Sequence, residues 1–429
     1  MRFFRACLNI LTGVFLIASV LVAGIVVALL ATPGPPITLG ILQPSPPAAA
    51  PVALSPPSET PSPLPSPSET PTATPTPTPT ETPTATPTHT PYANLIRGPY
   101  LQHPRPSEVR VVWDTDLESS GGIAFSSAGE SVVREESAIP ARHHQVVFAS
   151  LEPSTTYRYQ VLLEGAPLHQ EQTFTTLPAT GSESVRFAVV GDTQSGHDRH
   201  RSIVERILAW SPDFVLHVGD LVSDGSSPAD RARFFEIEQP LLASTFLFPT
   251  IGNHDKGPDP LFSLFDPPGS DPWYSFQAGP ALFITLEVDG LEPYDDESPQ
   301  YRWLESLLDR NRLPWVIIWF HIPPYSRSGE LPDEVSVRRS LAGLFDDYAV
   351  DLVLSGHHHN YQRYERGHVT YIVSGGGGGS LHPLDDDLEG LGAYAVANHF
   401  VGIEIEGGRL TGQAIAPDGS VLDRFAISE

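Results

Sequence analysis

The sequence predicts an α/β domain preceded by a small all-β domain, and three observations predict it. Mostly apolar runs of five or six residues recur after residue 184, the pattern of strands buried on both faces of a sheet. Helical patterns with one apolar face separate some of them, and five of the runs end in short clusters of Gly, Asp, Asn and His. Before residue 178 the pattern is instead one of short alternating runs parted by turn residues, as in antiparallel sheets.

Two segments precede both domains. From Ala6 to Ala31 no residue is charged and only Asn9, Thr12 and Ser19 interrupt the apolar run. A helix of that length spans the hydrocarbon core of roughly 30 Å. Arg2 and Arg5 come before it, and no Lys or Arg occurs again until Arg97. The positive-inside bias therefore places the chain beyond Ala31 outside the cell membrane. Residues 6–31 are expected to be a single-pass signal anchor with the folded domains extracytoplasmic; the alternative is a secreted protein whose signal peptide is cleaved. Residues 32–93 hold 20 of the 45 prolines, with runs such as Pro75-Thr76-Pro77-Thr78-Pro79. Proline removes amide donors and fixes φ, so this Pro/Thr-rich linker is expected to join no sheet or helix and to act as a spacer.

The chain of 429 residues has room for two globular units. Its formal charge of −26 lies almost wholly after the linker. Such a surface repels polyanions, so no nucleic-acid partner is expected, and any anionic ligand needs a strong local cation. The single cysteine, Cys7, allows neither an intrachain disulfide nor a cysteine zinc site.

In the β region (94–178) strands are predicted at Val109–Trp113, Gln145–Ala149, Tyr157–Leu163 and Gln172–Thr175. The stretch Leu151-Glu152-Pro153-Ser154-Thr155-Thr156-Tyr157 resembles the tyrosine corner of fibronectin type III domains. A β-sandwich is expected, serving as a spacer or as a packing partner for the next domain rather than as a binding module.

In the α/β region (184–429) Val185–Val190 ends in Gly191-Asp192, and Phe214–Val218 ends in Gly219-Asp220. Phe246–Ile251 ends in Gly252-Asn253-His254-Asp255, Trp315–Phe320 in His321, and Asp351–Ser355 in Gly356-His357-His358-His359. Ile203, Val204, Ile207 and Leu208 mark one helix face, and Leu341, Leu344, Phe345 and Tyr348 another. Polar clusters gathered at the carboxyl ends of buried strands lie where open α/β sheets bind ligands.

This ordered series resembles that of the calcineurin-like metallophosphoesterases. With the β domain in front and Asn360-Tyr361-Gln362-Arg363 behind, it is most similar to the purple acid phosphatase branch. The resemblance implies a four-layer α-β-β-α sandwich and two metal ions, iron, manganese or zinc. It implies Asp220 as the bridging ligand, Asn253, His321 and His357 completing one site, and Asp192 and His359 holding the other. A hydroxide bridging the ions would attack phosphorus in line, with His254, held by Asp255, assisting the leaving group or binding phosphate. The implied activity is that of an acid phosphatase-like monoesterase; a phosphodiesterase of the same fold, or a catalytically weak cell-surface binding module, are the alternatives.

Two positions depart from the family pattern. The first motif reads Asp192-Thr193-Gln194 where Asp-x-His is usual, and Ser223 stands where purple acid phosphatases carry an iron-binding tyrosine. Gln194 is thus a candidate ligand or a neighbour of one, as is Ser223. His197, Tyr361 and Arg363 are candidate substrate contacts. His358 is expected to turn away as a structural residue; His197 and His200 follow the first metal loop, and a place at a solvated helix start is the alternative for His197. Gly375–Gly379 is read as a turn requiring positive φ.

Overall fold

The computed structural model describes residues 38–41, 93–127, 133–136, 139–257, 264–269, 271–329, 331–385 and 390–428. The predicted anchor at 6–31 and most of the 32–93 tract lie outside them. No helix among the described residues is long and apolar enough to cross a membrane.

The N-terminal domain contains β1 (Thr38–Ile41), β2 (Leu95–Arg105), β3 (Glu108–Ser119), β4 (Gly121–Ser127), β5 (Val133–Glu136), β6 (Ala141–Ala149), β7 (Thr156–Leu163), β8 (Ala166–Pro167) and β9 (Gln172–Thr175). They form two antiparallel sheets, ordered β1-β6-β3-β2 and β5-β4-β7-β8, with β9 also paired to β7. Phe125 of β4 stacks on Phe148 of β6 at 4.1 Å, joining the two sheets. Strand β1 corrects the expectation that the Pro-rich tract joins no sheet. Thr38-Leu39-Gly40-Ile41 contains no proline, so it keeps its amides and pairs with Val146–Ala149.

The Tyr157 hydroxyl accepts the Glu152 amide at 2.9 Å, the bond of a tyrosine corner. Tyr159, two residues on and therefore on the same face, is buried and donates to the Ala243 carbonyl of the following domain at 2.6 Å. Phe174 meets Phe246 edge-on beside it. One apolar cluster thus runs from the small domain into the large one. Tyr159→Phe keeps the packing and removes the bond, and should lower stability by about 1 kcal/mol, read as a shift in the denaturant midpoint.

The large domain has four layers. One sheet holds β10 (Ser184–Val190), β11 (Phe214–His217), β12 (Phe246–Pro249), β20 (Phe400–Glu406), β21 (Arg409–Ile415) and β22 (Val421–Ser428), in the order β12-β11-β10-β20-β21-β22. The other holds β13 (Tyr274–Ala278), β14 (Ala281–Thr285), β15 (Trp315–Trp319), β16 (Leu352–Ser355), β17 (Tyr361–Arg366), β18 (Val369–Ser374) and β19 (Leu391–Ala395), in the order β13-β14-β15-β16-β18-β17-β19. Phenylalanines fill the space between the sheets. Phe187 and Phe214 each meet Phe283 edge-on at 5.1 Å, and Phe248 stacks on Phe276 at 3.8 Å.

Helices cover both outer faces. On the first sheet, α1 (His197–Trp210) buries Ile203, Val204 and Ile207, and α2 (Pro228–Leu242) buries Phe234, Phe235 and Leu241. On the second, α3 (Pro299–Arg310) and α4 (Pro332–Asp347) bury Leu304, Leu308, Val337 and Leu341. Ser227 and Ser298 cap α2 and α3, each followed by a proline at the first helical position, where a missing amide costs nothing. Strands β10, β11 and β12 run parallel, as do β14, β15, β16 and β18. Their carboxyl ends therefore present the succeeding loops to common edges.

Candidate metal centre

The loops leaving β10, β11, β12, β15 and β16 carry the five predicted clusters, and side chains from all five converge. Asp192, Asp220 and His357 stand there with φ of 58°, 53° and 69°. This left-handed backbone is uncommon outside glycine, and Asp tolerates it better than most residues. It turns each chain sharply away from its strand, with the Asp192 amide on the Gly219 carbonyl and the Thr193 amide on the Asp220 carbonyl, both at 3.0 Å.

His321 Nε2 lies 3.4 Å from Asp220 Oδ2 and 3.1 Å from Asn253 Oδ1. The same Asn253 oxygen is 3.1 Å from His357 Nδ1. On the other side His359 Nε2 is 3.4 Å from Asp192 Oδ1. The Gln194 amide nitrogen sits between the two halves, 3.2 Å from both His359 Nε2 and Asp220 Oδ2. Asp192, Asp220 and His321 are buried and bring their ligand atoms within 4.8 Å of one another.

The surroundings aim these atoms. His321 Nδ1 donates to the Val218 carbonyl at 2.8 Å, and His359 Nδ1 to that of Ser380 at 2.6 Å. Each Nε2 therefore faces the carboxylates, the arrangement in which imidazoles are held as metal ligands. Asp192 accepts the His357 amide on both oxygens at 3.1 Å, and Asp220 Oδ1 accepts the His254 amide at 2.9 Å.

Carboxylate, imidazole and amide-oxygen donors collected in one buried place suit a borderline-hard cation. Burial opposes an imidazolium at His321, yet Asp220 and Asp289 raise its pKa well above the usual value. The pocket is thus built to hold positive charge. Burial, then His321 and His358, push His357 down to about 3, leaving it the neutral form a metal requires. Gln194 Oε1 is buried without a hydrogen-bond partner among the described residues. Turning that amide over would present an oxygen to the same space.

The calcineurin-like phosphoesterase family matches residues 185–361. Human acid phosphatase type 7 is 30% identical over 309 residues, covering 62% of this chain and 69% of the human protein. The chain belongs to the calcineurin-like phosphoesterases. It is a metallophosphoesterase, a phosphoric ester hydrolase with purple acid phosphatases among its relatives. Probable purple acid phosphatase 20 of Arabidopsis thaliana is 27% identical over 325 residues, 67% of this phosphoesterase and 73% of the plant protein. The fold of purple acid phosphatase PPD1 from yellow lupin (Lupinus luteus) seeds superposes with a TM-score of 0.66 at 20% identity, covering 77% of this chain and 74% of that one.

Several residues of this phosphoesterase sit otherwise than expected. Asp255 does not hold the His254 ring. Its buried carboxylate accepts the Leu221, Val222 and Gly252 amides, at 2.9, 3.3 and 2.9 Å, and so ties two site loops together. His254 is exposed, with Nδ1 on the Ser223 carbonyl at 2.9 Å; Ser223 takes part through its backbone. Tyr361 and Arg363 are not at the site either, because both bond Asp423 at 2.8 Å on the far strand β22. His200 is buried against Glu238 at 2.6 Å. His197 is exposed and lines a small cavity beside Gln194, Ser195 and Ser223. His358 turns away to Glu334, as alternation along the chain predicts.

None of Gly375–Gly379 has positive φ. They are glycines because other backbones approach them: a Cβ on Gly375 would lie 2.2 Å from the His358 carbonyl, and one on Gly377 2.3 Å from that of Gly191. Two groups near the site escaped sequence reasoning. Asp289 is buried with both oxygens unpartnered among the described residues, and burial pushes its pKa up to about 7. Lys256, the chain's single lysine, donates to the Asp289 carbonyl. The signal available was a sixth strand end, β14, followed by two acids: Glu287 within the mostly apolar run Leu282–Val288 and Asp289 directly after it.

Proposed function

We propose that this phosphoesterase is a dinuclear phosphomonoesterase of the acid phosphatase type. The convergence of Asp192, Asp220, Asn253, His321, His357 and His359, with imidazole lone pairs aimed inward, carries the reading. Asp220 is the residue that serves both ions. Asn253, His321 and His357 belong to one site, and Asp192 and His359 to the other, with the flipped Gln194 amide as a further donor. Two such ions, when bound, lower the pKa of water and neutralise phosphoryl oxygens. His254 lies at the exposed lip with Nδ1 engaged on Ser223, so Nε2 is the ring atom left to hand a proton to the leaving group. Where the net charge of −26 repels an anionic substrate at long range, the centre supplies the local attraction.

The purified protein loaded with manganese, iron or zinc should carry two ions per chain and hydrolyse an aryl phosphate monoester faster than the corresponding diester. Chelation should abolish turnover and metal should restore it. Loaded with iron, it should lack the purple tyrosinate absorption, because Ser223 offers no phenolate. Preference for the diester, or full activity with a single ion, would overturn the assignment.

The reading extends to placement. Residues 6–31 are taken as a membrane anchor holding the enzyme outside the cell, and the β-sandwich as a fibronectin type III-like support. The uncharged run, the Arg2/Arg5 asymmetry and the tyrosine corner support this; protease accessibility on intact cells tests it.

A further inference from the structure

We propose that His382 is a positioning residue that fixes His359 and, through it, the half of the centre shared with Asp192. This role rests on the two-ion reading of the site. The Gly375–Gly379 run leads from β18 into a strap that wraps His359 on three sides. The Ser380 carbonyl accepts a hydrogen bond from His359 Nδ1 at 2.6 Å. The His382 ring stacks on the His359 ring at 4.0 Å and 14°. His382 Nδ1 accepts the His359 amide at 3.3 Å, while the His382 amide returns to the His359 carbonyl at 3.1 Å.

The strap is itself anchored to the opposite metal loop. Gly377 and Gly379 donate to the carbonyls of Gly191 and Asp192 at 2.9 and 2.8 Å, and the Arg199 side chain donates to the Gly378 carbonyl at 2.9 Å. A Cβ on Gly379 would lie 2.6 Å from the His359 ring, so the backbone itself presses against the imidazole. His359 and Asp192 are distant in sequence, and this strap bonds both. His382 touches His359 by ring and by backbone, which leaves that imidazole no freedom to tilt from Asp192. None of these contacts reaches His321 or Asn253.

The expected effect is therefore selective. Substitution of His382 should weaken one ion and spare the other. His382→Phe keeps a stacking ring and removes the acceptor; His382→Ala removes both. Zinc titration of the apoprotein, followed by elemental analysis after dialysis, should show two ions in the wild type and one in His382→Ala. The weaker ion should lose about 10–100-fold in affinity, with Phe in between. Two ions of unchanged affinity in His382→Ala overturn the role of His382. So does parallel loss of both ions in the Phe and Ala variants, because a general loss of structure would give that result. A wild-type protein that takes up no ion overturns the two-ion reading itself and this proposal with it.

Discussion

Asp220→Asn should lower kcat/KM by at least about a thousandfold, or about 4 kcal/mol of transition-state stabilisation. Asp220 lies between the two halves of the centre. Its Oδ2 faces both His321 and Gln194, and its Oδ1 is occupied by the His254 amide. Asparagine matches the shape but removes the charge. Burial works against ionisation at this position, and His321 still holds the carboxyl below the usual carboxylate range, so charge here is what the surroundings are arranged to keep. Steady-state kinetics with metal counts on the same sample provide the check. Activity within tenfold of wild type, in a variant that melts at the same temperature, would remove Asp220 from the mechanism.

Gly252→Ala should damage the site almost as much although it replaces no candidate ligand. A Cβ there would lie 2.3 Å from both the Asp220 amide nitrogen and Asp220 Oδ1. No flexible side chain can move aside, so one of two site loops must shift. A displacement of about 1 Å at a reacting centre costs on the order of a hundredfold in rate, and overpacking of this kind costs about 1–3 kcal/mol in stability. Gly343→Ala is the control. It lies within α4 with nothing within 4 Å of the added Cβ, and it should raise stability by up to about 1 kcal/mol with kinetics unchanged. Equal kinetics for the two variants would show that the Gly252 contact is tolerated.

The strand ends were legible because parallel strands buried on both faces read as mostly apolar runs, and the polar cluster after each marks where the chain leaves the sheet. The helix faces were legible by their spacing, and Ile203, Val204 and Ile207 are buried as their periodicity requires. What failed depended on partners far along the chain. Arg363 and Tyr361 look like site residues from their neighbours in sequence, but Asp423, on β22, claims them both. Asp255 follows His254 directly, yet its carboxylate serves backbone amides of another loop. The glycine run announced a constraint without saying which one, since close approach and positive φ leave the same mark in a sequence. His382 had no local signal at all; its importance is a matter of stacking across a folded strap.

The backbone at Asp192 and Asp220 limits what can replace them. Both occupy a conformation that disfavours a side chain branched at Cβ and is comfortable mainly for Asp, Asn and Gly. Chemistry and chain geometry therefore select from one short menu, in which Asp alone brings a charge. A drifting sequence has no stepwise route through Val, Thr or Ile there, and the conservative change to Glu would carry the carboxyl past its neighbours. Variants that survive folding at these two positions will be mostly the neutral ones, which makes silent, correctly folded but inactive relatives an easy outcome of single substitutions.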